Sequence, residues 1–430
     1  MKLNSLTLKN FRCYEERSFE FHPNVNLVVG RNAAGKTALL DAIAVVTATW
    51  FIGFKKKNLD GKAISPSDAT LKYSEQGEDA SFVESWPVVV SATGYVNEKL
   101  VSWERSKASP TGNTRYGQAT ELIDQAKLCD SSLDSESDLP LIGYYGTMRL
   151  WQDPRASKAK ISLEKGNKPS RLDGYKHSVD PRIAVREMVN WFAKQEWRAF
   201  QQGKEPAMLK IVRDAVLKCI DGATSLRFDA NREELLLSIG DNSPQPFSIL
   251  SDGQRCVLAL VADIAQKAAL LNPHLGEEVL QRTSGIVLVD ELDLHLHPFW
   301  QRQVIENLRS TFPEIQFIFT SHSPFLIQSL REGEELLMLE GHPTAELGNK
   351  TIEDIAVGIM RAGDSNVSNR YMEMKGVAME YLEELETAEG VPENKLEDFK
   401  NRLADALAPY ADNPAYQAFL EMQRVAKLGG

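Results

Sequence analysis

The chain has 430 residues, of which 43% are hydrophobic, and it carries a formal net charge of −11. This length accommodates one large α/β domain with insertions, or two to three ordinary domains with hydrophobic cores. No window approaches 18 unbroken apolar residues and no charged segment precedes an apolar one at the N-terminus, so we expect neither a membrane span nor a signal peptide. The four cysteines lack C-x-x-C spacing, which indicates free thiols in a reducing cytoplasm and no structural zinc.

Residues 30–37 form the first chemical motif. Their sequence, Gly-Arg-Asn-Ala-Ala-Gly-Lys-Thr, fits a loop whose backbone N–H groups surround a β-phosphate while the lysine neutralises phosphate charge. Residues 24–29 predict a buried strand before the loop, and residues 36–46 predict a helix whose N-terminus favours an anion. The residues expected to bind ATP are Gly30, Arg31, Asn32, Ala33, Ala34, Gly35, Lys36 and Thr37. The Thr37 hydroxyl would also coordinate Mg²⁺; the alternative for the whole loop is a glycine-rich turn without a ligand.

The middle of the chain predicts strands and then helices. Residues 82–106 alternate like antiparallel strands of a side sheet, and the polar stretch 128–140 predicts an exposed loop. Apolar residues recur every three to four positions in 181–200 and 207–222, which predicts two helices. No stretch offers many heptads, so we expect a compact domain without a long coiled coil.

A Ser-Asp-Gly-Gln segment begins the predicted helix at 253–271. Ser251, Gly253 and Gln254, with the exposed amides at the helix start, would form a second phosphate-binding loop, because the helix dipole favours an anion there. The alternative is an ordinary Ser-Asp cap on a core helix.

Two adjacent acids follow the apolar strand predicted at 286–289. Strands of α/β sheets place ligands at their carboxyl ends, so Asp290 would hold Mg²⁺ through water and Glu291 would orient and deprotonate an attacking water. Another β-rich run begins at Ile315 and ends at Ser-His-Ser, from which His322 would reach a γ-phosphate. Taken alone, two acids after a strand also occur as a helix cap.

The order of these motifs resembles the ABC-type ATPases, within them the soluble RecF, SMC and OLD-like branch. The resemblance covers about residues 1–60 and 245–330. The opening segment 6–21 is also similar to that branch, whose Asn-Phe-Arg arginine, here Arg12, contacts the phosphates. Transporters usually have glycine at the position of Asp252, whereas aspartate is common in this branch.

The resemblance implies an α/β fold. An ABC-type ATPase head, residues 1–330, would hold a mixed sheet with the phosphate loop and an antiparallel side sheet. The side sheet and loops would occupy about 53–180, and a helical insertion about 181–240. An acidic helical extension at 331–430 would bind a partner.

The resemblance also implies that two heads sandwich two ATP molecules with Mg²⁺. The Ser251–Gly253 loop of one head would cap the γ-phosphate held by Lys36 and Thr37 of the other. Since this chain carries one set of motifs, we expect a homodimer or a higher even-numbered homo-oligomer. His295 and His297 would belong to a loop facing the second head, in preference to a metal site. Gln152 is a candidate for the residue that senses Mg²⁺.

The acidity of the chain is concentrated in its last hundred residues. Residues 331–430 contain 20 acidic and 10 basic side chains, whereas the preceding 330 are almost neutral. Helices are predicted at 371–385, 396–407 and 413–427, with apolar stripes that either pack on the head or dock a partner. These residues contain no Asp-x-Asp, and no H-N-H cluster occurs, so we expect no nuclease site in the chain.

The size, the missing coiled coil and the acidic tail resemble the PtuA ATPase family of Septu-type anti-phage systems, also found beside retrons. In those systems the partner is an HNH nuclease. The resemblance implies that ATP-dependent head dimerisation regulates a separate nuclease docked on the C-terminal helices, with contact to DNA left open. The alternatives are a RecF-like clamp that itself binds DNA, and a stand-alone ATPase toxin.

Overall fold

A computed structural model describes residues 1–55, 59, 61–76, 79–131, 137–150, 170–331, 333–340 and 355. These residues belong to one compact unit, Met1–Ile355. Gln152 and the helices predicted at 371–385, 396–407 and 413–427 lie outside the described residues.

Fourteen strands and eight α-helices occur in the described part of the chain. In chain order, the strands are β1 (Lys2–Phe11), β2 (Tyr14–Glu20), β3 (Val25–Val29), β4 (Thr70–Gln76), β5 (Asp79–Ser85), β6 (Val88–Val96), β7 (Lys99–Lys107), β8 (Leu141–Tyr145), β9 (Ala223–Asp229), β10 (Glu234–Ile239), β11 (Gln245–Pro246), β12 (Gly285–Val289), β13 (Ile315–Ser321) and β14 (Leu336–Met338). The helices are α1 (Lys36–Thr47), α2 (Thr120–Ser131), α3 (Val185–Gln202), α4 (Ala207–Cys219), α5 (Asp252–Leu271), α6 (Val279–Arg282), α7 (Pro298–Thr311) and α8 (Pro324–Gln328).

The central sheet is parallel and has the strand order β14-β3-β13-β12-β8. Strands β3, β8, β12 and β13 are buried along their whole length, as parallel strands covered on both faces are. Their carboxyl ends therefore meet at one edge of the sheet, where the phosphate loop follows β3 and the two acids follow β12.

A second, antiparallel sheet has the strand order β2-β1-β6-β7. Gln316 connects the two sheets, since its amide nitrogen donates to the carbonyl oxygen of Leu3 over 2.8 Å and its amide oxygen accepts from the Leu3 N–H over 2.7 Å. Helix α1 contacts strands of both sheets. The segment Lys36–Gly53 is long and apolar enough to cross a membrane, but 89% of it is buried inside the protein, so we regard it as a core helix.

The sequence predicted the framework of the fold better than its insertions. The polar loop predicted at 128–140 is wrong at its start, because helix α2 continues to Ser131 and buries Cys129. The helical subdomain predicted at 181–240 is helical only as far as Cys219. Strands β9 and β10 then form a hairpin, which Leu226, Leu235 and Leu237 anchor in the core. Apolar and polar residues alternate only over the few residues of β9 and β10, which gives a weak strand signal next to two strongly periodic helices.

Candidate functional site

The phosphate loop joins β3 to α1 in a conformation that its small residues permit. Gly35 has φ 99°, and a Cβ atom there would lie 2.6 Å from both the Tyr14 hydroxyl and the Cys13 sulfur. The Tyr14 hydroxyl donates a hydrogen bond to the Gly35 carbonyl oxygen over 3.1 Å. Ala33 also lies in the left-handed region, with φ 66°. Residues 31–33 are exposed, so their backbone amides are accessible to a ligand.

Lys36 is buried at the start of α1 and points into its own loop. Its ammonium group donates to the carbonyl oxygens of Gly30 (2.9 Å) and Arg31 (3.1 Å). Burial lowers the pKa of Lys36, and the nearby carboxylates of Glu291 and Asp290 partly oppose this shift. A buried cation held by the loop itself is placed to neutralise phosphate charge.

Asp290 lies at the carboxyl end of β12, where residues from two other elements meet its carboxylate. The Thr37 hydroxyl donates to one carboxylate oxygen over 2.8 Å, and the Thr320 hydroxyl donates to the other over 2.5 Å. Asp290 is buried, whereas Thr37 at the mouth of the loop is exposed. A hydroxyl and a carboxylate in contact are the oxygen donors that Mg²⁺ prefers, so these residues fit the ion.

The backbone holds Glu291 in place. Its φ is 46°, which is strained for a residue with a side chain, and its N–H donates to the Thr320 hydroxyl oxygen over 2.7 Å. The buried Arg149 guanidinium donates to the carbonyl oxygens of Glu291 (3.1 Å), Asp290 (2.9 Å) and Gly146 (3.0 Å). The conformation of the Asp290–Glu291 peptide is therefore fixed from both sides.

The sequence alone assigned no role to Thr320 or to Arg149. A polar residue near the end of the buried strand β13 was a signal for Thr320, since a hydroxyl in that position needs a partner. Arg149 gave no comparable signal, because its contacts join segments that lie about 140 residues apart.

His322 follows β13 at the same edge of the sheet. Burial lowers its pKa, and the positive charge of Lys36 lowers it further, while Asp293, Glu291 and Asp290 act in the opposite direction. Because β13 pairs with β3 (Ser321 with Val29) and with β12 (Phe319 with Val289), His322 lies at the same edge of the sheet as the phosphate loop and the two acids. A neutral imidazole here would donate a hydrogen bond to an oxyanion.

Ser251 is the N-cap of α5, which is the alternative that its sequence offered. Its hydroxyl accepts a hydrogen bond from the Gln254 N–H over 3.3 Å, and its own N–H donates to the Gln254 side-chain oxygen over 3.0 Å. Ser251 is nevertheless exposed, and within the described residues no hydrogen bond joins residues 251–254 to the loop at 30–37. The cap is therefore free to contact a ligand other than one bound by the phosphate loop of the same head.

The loop after the two acids packs against this cap. A Cβ atom on Gly253 would lie 2.5 Å from the carbonyl oxygen of His295, so only glycine permits the close approach. His297 is the N-cap of α7, since its Nδ1 atom accepts from the Phe299 N–H over 3.3 Å. Among the residues that the structure describes, no group of three or more His, Cys, Asp or Glu could hold a metal ion.

Arg12 lies near the phosphate loop, but acidic side chains hold its guanidinium. It forms ion pairs with Asp41 (2.6 Å), one turn beyond Thr37 in α1, and with Asp68 (2.8 Å). Lys62 also pairs with Asp41. Arg12 would therefore have to leave these partners to contact a phosphate.

Two protein-family models match the chain, and together they span residues 5–328. A family model described as "AAA domain" matches residues 5–205, and a second, described as "AAA domain, putative AbiEii toxin, Type IV TA system", matches residues 118–328.

Three relatives are similar over different lengths. The chain is 39% identical over 402 residues to the Retron Ec83 probable ATPase of Escherichia coli, covering 79% of this chain and 72% of that one. It is 31% identical over 424 residues to the Retron Vc95 probable ATPase of Vibrio cholerae serotype O1 biovar El Tor, covering 85% and 80%. It is 29% identical over 200 residues to the Septu protein PtuA of Bacillus mycoides (strain KBAB4), covering 46% and 25%.

Proposed function

Because this chain belongs to the family of retron-associated ATPases, we propose that it binds and hydrolyses ATP as one subunit of a bacterial anti-phage defence complex. The similarity to Septu PtuA and to AAA domains confirms the kinship that the order of the motifs predicted. The observation that carries the proposal is the cluster at the edge of the parallel sheet, where Thr37 contacts Asp290 and the adjoining loop holds the Lys36 ammonium group.

ATP would bind on the loop at residues 30–37. The exposed amides and Lys36 would surround the phosphates, for which Lys36 would exchange its bonds to the Gly30 and Arg31 carbonyls. Thr37 and Asp290 would hold Mg²⁺, which supplies charge neutralisation at the β- and γ-phosphates when bound.

Glu291 would orient the attacking water and accept its proton. The contacts of Thr320 and Arg149 with the peptide at this position hold the residue without engaging its side chain, so the carboxylate remains available. His322 would donate a hydrogen bond to the γ-phosphate and stabilise the charge that develops there.

A second head would complete each site. Ser251 and Asp252 are exposed at the start of a helix of 20 residues, so the helix N-terminus suits a γ-phosphate held by another copy of the chain. ATP would then hold two heads together and hydrolysis would release them. We propose an even-numbered homo-oligomer on this basis.

We propose that head pairing controls a separate HNH-type nuclease docked on residues 331–430, and that this chain has no nuclease site of its own. The similarity to Septu PtuA and the acidity of that segment support the idea. Expression of the tagged chain with its native neighbouring genes should yield a stoichiometric nuclease subunit, and the chain alone should not cleave DNA with Mg²⁺ or Mn²⁺.

Two variants test the ATPase site. Lys36→Ala should abolish binding of a fluorescent ATP analogue, because the buried cation is lost. Glu291→Gln should retain binding, stop hydrolysis, and shift the mass measured by light scattering to that of a dimer in the presence of ATP. Glu278→Gln, which changes an exposed acid paired with Arg282, is the matched control and should behave like the wild type. Unchanged ATPase rates in both site variants would refute the assignment.

A further inference from the structure

The C-terminal half of helix α3 presents a surface that the ATPase reaction does not use. Lys194, Trp197, Arg198 and Phe200 are all exposed there, and Lys204 is exposed directly after the helix. Lys194, Trp197 and Arg198 are spaced i, i+3, i+4 and so lie side by side on one face. We call these five residues the aromatic–basic face.

The two rings of this face are exposed although the helix itself is well anchored. Trp197 is 48% and Phe200 80% exposed, and their rings are stacked with centroids 6.0 Å apart and planes inclined by 27°. On the opposite side of the same helix, Met188, Trp191 and Phe192 are buried. The rings thus stand on a rigid element.

The cations of the aromatic–basic face are not neutralised within the described part of the chain. Lys194, Arg198 and Lys204 form no ion pair with any other described residue. The neighbouring acids Glu196 and Glu205 both pair with Arg213, which removes them as partners. A chain with a net charge of −11 therefore keeps a local surplus of positive charge beside two exposed rings.

A second exposed aromatic pair provides a contrast. Tyr73 and Phe82 on the β4–β5 hairpin are 57% and 69% exposed, with ring centroids 5.5 Å apart. The lysine beside them, Lys72, pairs with Glu15, and Glu84 on the hairpin accepts a hydrogen bond from Trp86. The rings of this pair are similarly exposed, but no surplus of positive charge accompanies them.

We propose that the aromatic–basic face binds single-stranded nucleic acid. The rings would stack on unpaired bases and the three cations would contact the phosphates between them, a combination that suits single strands of any sequence. A duplex fits poorly, because its bases already stack on one another. A protein partner is less favoured, since lysine is depleted at protein interfaces whereas two lysines flank these rings.

Fluorescence anisotropy of labelled 12-mers of deoxythymidine and of uridine tests the proposal on the full chain. Both should bind, and a 12-base-pair duplex should bind more weakly. Trp197→Ala/Phe200→Ala should weaken binding of both oligonucleotides about 30-fold or more, since two stacking platforms are lost. The control Tyr73→Ala/Phe82→Ala should change the affinity less than twofold.

The three cations should make oligonucleotide binding depend on salt concentration. Three phosphate contacts predict that the logarithm of the affinity falls with the logarithm of salt concentration with a slope of about −2. Lys194→Glu/Arg198→Glu should reduce that slope and weaken binding, while the ATPase rate of all three double variants should stay at the wild-type value.

Several outcomes would overturn the proposal. Oligonucleotide binding that survives Trp197→Ala/Phe200→Ala, or that falls equally in the hairpin control, would remove the rings from the interaction. Competition by ADP would place the oligonucleotide on the phosphate loop instead. If the double variant kept oligonucleotide binding but lost a protein that copurifies with the wild type, the face would be a protein interface.

Discussion

Replacing Thr320 by valine should disable hydrolysis while leaving ATP binding intact. The substitution keeps the shape of the side chain but removes a hydroxyl that donates to the Asp290 carboxylate (2.5 Å) and accepts from the Glu291 N–H (2.7 Å). A hydrogen bond to a charged group contributes about 1.5–3 kcal/mol and an unsatisfied buried donor costs about 1–3 kcal/mol. We therefore expect the free energy of unfolding to fall by about 2.5–6 kcal/mol. Because small displacements of catalytic groups cost up to about 100-fold in rate, kcat should fall roughly 10- to 100-fold.

The assay measures kcat in saturating Mg²⁺–ATP and, separately, the Kd of the nucleotide without Mg²⁺. The Kd should change little, since Lys36 and the loop amides are untouched. Thr320→Ser retains the hydroxyl and should keep kcat within a few-fold of the wild type. Thr47→Val, which removes another buried hydroxyl that donates to the Ile43 carbonyl oxygen, controls for a general loss of stability. A Thr320→Val enzyme as active as Thr320→Ser would refute the reasoning.

Three further predictions concern the surroundings of the acids. Arg149→Met should lower kcat without raising the Kd for ATP, and Arg149→Lys should restore part of the rate; equal losses in both would argue for a purely structural role. By NMR, the pKa of His322 should lie below the ordinary histidine value, because burial and the charge of Lys36 disfavour the imidazolium. Its pKa should rise in Lys36→Ala because a like charge is removed, and an unmoved midpoint would contradict the coupling. Gly253→Ala should lower the ATPase rate and weaken ATP-dependent dimerisation, seen by light scattering, because its Cβ meets the His295 carbonyl.

The sequence predicted the parts of the site that are contiguous in the chain. The phosphate loop, the cap at Ser251 and the acids after β12 each carry a local pattern of strand, loop and helix. Parallel strands bring their carboxyl ends to one edge, so the meeting of Thr37 with Asp290 also followed from topology. Arg149 could not be predicted in this way, because a buried arginine that bonds to backbone carbonyls leaves no periodicity in the sequence.

The linear charge count also leaves open how charge is distributed over the folded surface. Residues 1–330 are almost neutral when counted along the chain. Folding separates the charges, however, because Arg213 draws Glu196 and Glu205 to itself and leaves the neighbouring cations exposed beside two rings. Local pairing decides where positive charge is available, and a count along the chain cannot register it.

Lys36 and Glu291 differ in whether they must change hydrogen-bond partners when ATP binds. The Lys36 ammonium group donates hydrogen bonds to the Gly30 and Arg31 carbonyl oxygens, so it must give up these bonds to bind a phosphate. Glu291 is held through its own N–H and C=O by Thr320 and Arg149, and its side chain takes no part in that support. Glu291→Gln should therefore leave the Asp290–Glu291 peptide in place and remove only the carboxylate that we propose accepts the proton. That separation is why this substitution, unlike Lys36→Ala, is expected to trap the paired heads with ATP bound rather than prevent them from forming.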